Sequence, residues 1–427
     1  MNEKLESLLK LAISSGASHA EVFQVSSQSQ PVFFEGNRLK QLESSQSLGT
    51  ALRLWQNNQP GLAVAYGKIE PELLVSKAIA ISKLNLPETI DLASTRQLVY
   101  PEVGAKATVT ELIELGNQAI AQLRREYPEI ICSAELESEQ ETTTLVNSQG
   151  LHCHYSESAL SYSLGAELVR GEDFLGIYDG EYSTDQLNID AVIEQIIQRL
   201  DWAKANVAPL QGKVPVLLTV NAAILLWDTV ASALNAKRIK EKSSPWSDLQ
   251  QQLVVSDLIS LTQQPEEHPY GCPFDDEGML TQKIELITEG RLNQFYSDRA
   301  TARELGLEST GNGFRPDLES YPSPSLINLV IAPGNASIEN LITQLDNGII
   351  VDQVLGGGAD ISGDFSVNID LGYRVKNGKV IGRVKDTAIA GNVYQILKQV
   401  VALGNDATWN GSCLTPSIIV EGISVVG

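Results

Sequence analysis

Four histidines, four cysteines and one acidic triplet are the side chains whose chemistry could define a site in this 427-residue chain. The histidines are His19, His152, His154 and His268, and none belongs to the helical HExxH pattern that converges two imidazoles on a metal. His152 and His154 flank Cys153; on a strand the two imidazoles share one face and the thiol takes the other, so the three do not form a compact ligand set. Asp275, Asp276 and Glu277 lie in a turn-rich segment, PFDDEG, and admit two readings: a carboxylate-only magnesium site, or solvated charge in a turn, which is the commoner outcome. Gly356, Gly357 and Gly358 follow a strand-like run but lack the lysine and hydroxyl of a phosphate loop, so close packing or a β-bulge at a backbone crossing is the better account. No GxSxG elbow supports a serine hydrolase.

Charge narrows the choice of partners. With 31 basic and 53 acidic residues the formal charge is -22, which disfavours direct contact with nucleic acid or an anionic membrane, and no long Lys/Arg run offsets it. The most apolar segments, 214–226 and 389–403, are too short or too interrupted to span a bilayer. Cys132, Cys153, Cys272 and Cys413 form no CxxC pair and the N-terminus has no secretion-signal pattern, so a reducing cytoplasm is the expected location.

The elements that must position these residues emerge from periodicity. Leu5, Leu8, Leu9, Ala12 and Ile13 predict an opening helix ending at Gly16; strands are expected at 21–26, 32–35, 48–55 and 61–66, and a helix from Pro71 closes a first unit, residues 1–85. A second unit, 86–207, begins with a connector (87–106) and a helix through Val109, Leu112, Ile120 and Leu123. It continues with β-rich runs at 135–146 and 152–169 and ends in a helix at 189–207. Residues 208–427 form the third, opening with a strand at 213–220 and a helix at 222–234. Further elements are a hairpin (283–288 and 292–296), a strand at 329–331, a helix at 338–345 and a strand at 348–355. A strand pair turning at Asn377-Gly378, a helix at 393–403 and a closing strand or strand pair at 412–426 complete the chain. Strand pairs followed by helices predict a segregated α+β chain.

The run from Pro269 to Gly334 concentrates unusual local chemistry, with STGNGFR at Ser309–Arg315 leading into Pro316, Pro322 and Pro324. Its glycines and asparagine require permissive backbone, and its prolines stiffen the segment after Arg315. It reads either as a rim holding an extended peptide or as an ordered crossover that plugs the core.

Several blocks in order resemble the TldD/PmbA family, in particular its PmbA branch, also called TldE (gyrase-modulator or peptidase U62-like proteins). They are PFDDEG, KIELITEGRLNQFYSD, STGNGFR, NLVIAPG, GIIVDQVLGGGADISGDFS, TAIAGNVYQILKQVVALGND and SIIVEGISVVG. The resemblance implies an N-terminal α/β region with helices on antiparallel strands, followed by a larger β-rich C-terminal domain. It also implies a cytosolic heterodimeric metalloprotease acting on unfolded peptides, whose TldD-type chain carries an HExxxH helix and a later cysteine around one metal, expected to be zinc. In the corresponding LLWDTVAS of this chain, Trp227 replaces the first histidine, Asp228 the glutamate and Ser232 the second histidine, while Cys413 falls near the place of the later cysteine. An indole cannot replace an imidazole ligand, so no catalytic residue, metal or cofactor is expected in this chain. The resemblance implies instead a non-metal-binding partner of a TldD-like subunit, able to form a homodimer when alone, with Asp275, Asp276, Glu277, Asn312 and Arg315 framing the cleft. Two other readings stand beside it: an independently active homodimeric peptidase with a different site, and a gyrase-associated regulatory or scaffold protein.

Overall fold

The computed structural model describes residues 3–427. The first half comprises α1 (Glu3–Ser14), β1 (His19–Glu35), β2 (Arg38–Leu42), β3 (Ser45–Gln56), β4 (Gln59–Tyr66), α2 (Pro71–Ser82), β5 (Arg96–Val99), β6 (Val103–Gly104), α3 (Val109–Glu126), β7 (Ile131–Asn147), β8 (Leu151–Arg170), β9 (Asp173–Ser183) and α4 (Ile189–Trp202). All nine strands join one sheet in the order β4-β3-β1-β7-β8-β5, with β2 on β1 and both β6 and β9 on β8. Residues 1–85 and 86–207 therefore share a sheet, joined by the antiparallel pairing of β1 with β7.

Alternation along these long strands decides what each face buries. Ala20, Val22, Leu52, Leu54 and Val146 meet α1 and α2 at one end of the sheet. At the other end Val32, Phe34, Ala134 and Leu136 point the same way and meet α3 and α4. Helix α3 starts with a reciprocal capping box, Thr108 with Glu111, which satisfies two otherwise free N–H groups. The opposite face carries Phe23, Leu145 and Cys153, packed on Phe274 from the second half. On that same face of β7, further from Phe274, stand Glu137, Glu139 and Glu141.

The second half contains β10 (Gly212–Leu218), α5 (Val220–Ala233), α6 (Ala236–Lys240), β11 (Leu261–Gln263), β12 (Ile284–Thr288), β13 (Arg291–Leu292), α7 (Arg299–Leu305), β14 (Gly313–Phe314), β15 (Ser323–Pro324), β16 (Leu329–Ile331) and α8 (Ile338–Leu345). After these come β17 (Asn347–Leu355), β18 (Asp364–Lys376), β19 (Lys379–Arg383), β20 (Ala388–Asn392), α9 (Val393–Ile396), β21 (Val400–Leu403), β22 (Thr408–Asn410), β23 (Cys413–Thr415) and β24 (Ile418–Val426). One sheet runs β10-β17-β18-β20-β24-β21, and an extra β10–β24 pairing closes five of its strands into a ring. Another runs β13-β12-β11-β16-β23-β22. The chain is thus a mixed N-terminal region with helices on a largely antiparallel sheet, succeeded by a more β-rich region, as the sequence predicts.

Several local expectations are corrected. The predicted breaks within 19–35 do not occur: β1 runs through both segments in unbroken register with β7. Strand β9, with Gly176 and Gly180 in it, is absent from the sequence-based expectation. The predicted helix at 393–403 is one α-helical turn followed by a 3-10 turn, after which Val400, Ala402 and Leu403 pair with β24. The helix expected over 189–207 ends at Trp202. The hairpin at Glu289-Gly290 forms, both residues having positive φ, but its second strand stops at Leu292. Beyond it Tyr296 donates its N–H to the carbonyl of Leu234 at the end of α5, which draws the chain out of the sheet. A side chain at Gly290 would also meet the carbonyls of Val255 and Ser256 at 2.6 and 2.7 Å, so the turn requires glycine twice over.

Candidate functional site

Helix α5 begins where β10 ends. Thr219 keeps extended backbone, its N–H donates to Val351 at 3.0 Å, and its hydroxyl donates to the buried Asp352 carboxylate at 2.8 Å. Asp352 is ion-paired with Arg199 of α4 at 3.1 Å, and Arg199 also holds Asp179 of β9. The start of α5 is thereby tied to both halves of the chain.

Successive residues of a helix are turned by about 100°, so neighbours in the motif need not share a face. Trp227 points inward and is fully buried; Asp228 is exposed and Ser232 half-buried, one turn apart on the outer side. The structure therefore brings Asp228 and Ser232 onto one face and separates Trp227 from them. The Trp227 indole N–H donates to the Thr415 hydroxyl at 2.7 Å. Thr415 and Cys413, two apart on β23, share the side of the strand that faces the helix. Burial, reinforced by the nearby Asp228 carboxylate, pushes the Cys413 thiol well above its ordinary range. Partial desolvation likewise raises the Asp228 carboxyl. An indole, a lone thiol, a hydroxyl and one carboxyl are not a donor set for zinc, and the residues present do not fit a metal here. Among the described residues no group of three or more His, Cys, Asp or Glu side chains could hold a metal ion.

The acidic triplet is neither a magnesium site nor solvated charge. Asp275 is fully buried, and its carboxylate accepts backbone N–H bonds from Glu277 (3.0 Å), Met279 (2.8 Å) and Gly313 (2.9 Å). Asp276 accepts from the Arg315 N–H at 2.7 Å, and Glu277 from the Arg299 N–H at 2.9 Å. Burial raises all three carboxyls against these hydrogen bonds, Asp276 to about 6; the neighbouring Asp276 charge raises Asp275 further, and the Asp275 charge raises Glu277. The Arg315 guanidinium crosses to the first sheet, pairing with Glu21 at 3.0 Å and lying 5.2 Å from the Phe23 ring. Arg53 pairs with the same Glu21 oxygen at 3.0 Å and stacks on Trp55. Asn312, also buried, donates to Gln263 and to the Ser325 carbonyl, each at 2.7 Å, and so fixes the glycine-rich loop. The five framework residues form one connected joint between the halves of the chain.

The other singled-out motifs disperse. His152 meets Gln97 and His154 meets Thr144, each at 3.0 Å, while Cys153 faces the opposite side and is buried. The expectation of close packing at Gly356–Gly358 is not met. Nothing lies within 4 Å of where a side chain would begin at Gly356 or Gly357, and only Gly358 approaches Leu225 of α5. The loop folds back on that helix one residue later, Ala359 accepting a bond from Thr229 at 3.2 Å.

Sequence reasoning missed a wall that begins beside α5. Asn410 of β22 donates to the Asn221 carbonyl at 3.3 Å, and its neighbour Trp409 lies 5.1 Å from the Tyr270 ring, which stacks at 5.3 Å on Tyr182 of β9. Beyond them Glu141 stands directly across from Glu157, whose other neighbours are the Tyr155 hydroxyl and, at 3.7 Å, His268. Desolvation is the main cause holding the Glu157 carboxyl above its ordinary value. The Glu-x-Glu-x-Glu-x-Glu alternation from Glu135 to Glu141 was visible in the sequence as a one-sided acidic strand; the aromatic contacts, spread over 227 residues, were not.

Comparison with known proteins places this geometry in a family. The PmbA/TldA metallopeptidase C-terminal domain matches residues 211–427, and PmbA/TldA metallopeptidase domain 1 matches residues 20–82. A metalloprotease TldD homolog of Buchnera aphidicola subsp. Acyrthosiphon pisum is 26% identical over 228 residues, 52% of this chain and 47% of that protein. The chain thus spans about half the length of the first curated relatives it matches. A metalloprotease PmbA homolog of Haemophilus influenzae is 25% identical over 98% of this chain and 94% of its own. The solved structure of TldE from Thermococcus kodakarensis has the same fold, with a TM-score of 0.91 at 24% identity over 99% of this chain and 100% of that one. The chain belongs to the PmbA/TldA (TldD/PmbA) metallopeptidase family.

Proposed function

We propose that this chain is a PmbA/TldE-type subunit that works in the cytoplasm as the non-catalytic half of a heterodimeric protease, paired with a TldD-like chain that holds the zinc. The observation that carries the proposal is the Trp227 indole, buried and bonded to Thr415 in the place where the catalytic chains carry an imidazole. Hydrolysis by a zinc peptidase needs a metal with an open position to activate water and polarise the carbonyl. With Trp227, Asp228 and Ser232 at the motif and Cys413 the lone thiol beside it, the chain's own contribution is to shape the cleft. The Asp275–Glu277, Asn312 and Arg315 joint fixes one half against the other, and the Trp409, Tyr270 and Tyr182 wall offers ring faces to an unfolded peptide.

Co-expression with the cognate TldD-like chain, then co-purification, zinc analysis and peptide hydrolysis for each chain and the mixture, tests this. The expected result is a stable complex in which only the mixture cleaves peptides and zinc stays with the TldD-like chain. Peptide hydrolysis with stoichiometric zinc in this chain alone would overturn the proposal in favour of an independent homodimeric peptidase, and stable capture of gyrase without a TldD-like chain would favour a regulatory scaffold.

A further inference from the structure

A concave site lies apart from α5, at the seam between the connector after α2 and helix α7. It has a volume of about 520 Å³ and is lined by three guanidinium groups, those of Arg96, Arg299 and Arg303, against one carboxylate, Asp91. Asp91 binds Arg299 through one oxygen and Arg303 through the other, the latter at 2.6 Å, so a single carboxylate already bridges two of the arginines. The balance is still two positive charges in a chain whose net charge is -22.

Two observations show that this positive charge is not consumed by the fold. Arg96 lies on the short outer strand β5, is exposed, and its side chain has no ion-pair or hydrogen-bond partner among the described residues. The second terminal nitrogen of Arg299 reaches only the Met279 thioether sulfur at 3.4 Å, a weak acceptor that leaves most of a charged donor's capacity unused. Leu92, Met279, Ala302 and Leu307 share the lining, so the cavity pairs a cationic side with an apolar one. A bare inorganic anion would use the first and leave the second wet; an anion carried on an apolar body fills both. The strongly acidic remainder of the surface repels anions at long range, so selection for one must come from short charge-assisted contacts inside the cavity.

We infer that this cavity binds a carboxylate attached to an apolar group, of the kind presented by the C-terminal residue of a peptide or by a small hydrophobic organic acid, with Arg96 as the principal contact and Arg299 and Arg303 as its support. The inference stands independently of any TldD-like partner, because every lining residue belongs to this chain.

Calorimetric titration of the purified full-length chain with N-acetyl-leucyl-leucine, its C-terminal carboxamide, N-acetyl-leucine and inorganic phosphate tests it. The free dipeptide acid is expected to bind and its carboxamide at least about tenfold more weakly, as expected for losing a charge-assisted contact. Comparable binding of N-acetyl-leucine would identify a small organic acid as sufficient; much weaker binding would identify a peptide terminus. The Arg96→Ala variant, whose side chain supports nothing in the fold, should lose at least about tenfold with an unchanged circular dichroism spectrum and melting temperature, and Arg96→Lys should recover part of that loss. Ser94→Trp, a substitution at an exposed lining residue, should block the cavity without touching the arginines. Equal affinity for acid and carboxamide, phosphate binding as tightly as the dipeptide, or undiminished binding by Arg96→Ala would each overturn the inference.

Discussion

Replacing Trp227 by alanine tests whether the indole is a structural filler of the core beneath α5. Trp227 is fully buried beneath α5 and among the largest such side chains in the molecule. Truncating a buried aromatic to alanine removes its transfer free energy and leaves a cavity, together about 3–5 kcal/mol. The lost Trp227–Thr415 bond adds about 1 kcal/mol, and not more, because the Thr415 hydroxyl keeps its own bond to the Pro416 carbonyl at 3.1 Å. Trp227→Ala should therefore cost about 4–6 kcal/mol. Trp227→Phe keeps most of the volume and loses the bond, and should cost about 1–2 kcal/mol. Urea unfolding monitored by far-ultraviolet circular dichroism separates the two, because that signal does not depend on which of the five tryptophans was removed. If the chain unfolds in two steps, the comparison belongs to the transition that includes the C-terminal half. A cost below about 1 kcal/mol for Trp227→Ala, or equal costs for the two variants, would refute the assignment of this residue to packing.

The joint between the halves and the packing of β4 on α2 give three further expected outcomes. Asp276 has a folded-state pKa raised to about 6, above its unfolded value, so the native state holds its proton longer; stability from this group is greatest in acid and falls as pH rises from about 4 to about 6. Asp276→Asn keeps an oxygen for the Arg315 N–H, and the difference in unfolding midpoint between wild type and variant should shift in the variant's favour over that window; no change in the difference would contradict it. Arg315→Met leaves Glu21 buried with Arg53 alone and should cost about 3–5 kcal/mol, with part recovered in the Glu21→Gln/Arg315→Met double variant, as measured in a double-mutant cycle. Gly61→Ala would drive its methyl into the Ala78 carbonyl and force β4 from α2. A cost of about 1–3 kcal/mol is expected, with lost amide-exchange protection confined to those two elements.

The features legible in the sequence are those that depend on neighbours in the chain. Helix α8 and strand β16 occur over the predicted residues, and the β18–β19 hairpin turns at Asn377-Gly378, because amphipathic spacing, an apolar run and an Asn-Gly turn are local signals. Strand β9 was hidden because its Asp, Gly and Glu residues read as loop, while its place depends on pairing along β8. Residues 393–403 carry helical spacing, yet Val400 and Leu403 gain more by joining β24. Trp227, Asp228 and Ser232 could be singled out from the sequence, but the inward turn of Trp227 and its partner 188 positions away were not legible there.

The acidic triplet illustrates the same division and explains why its chemistry is mechanical. In sequence, three consecutive carboxylates suggest water or a cation, since buried charge is costly. In the fold their lone pairs are taken by backbone N–H groups of three separate segments, around Met279, Arg299 and Gly313–Arg315, and the Arg315 guanidinium returns the opposite charge to Glu21 on the far sheet. Breaking one member exposes the others to an unpaired, desolvated charge, so the cost of sliding one half against the other is concentrated at this joint. The Tyr270–Tyr182 stack spans the same two halves, so it keeps its geometry only if that joint holds. Loosening it with Arg315→Met should therefore separate the Tyr270–Tyr182 stack before either half unfolds, a change visible in near-ultraviolet circular dichroism at denaturant concentrations where the far-ultraviolet signal is still native.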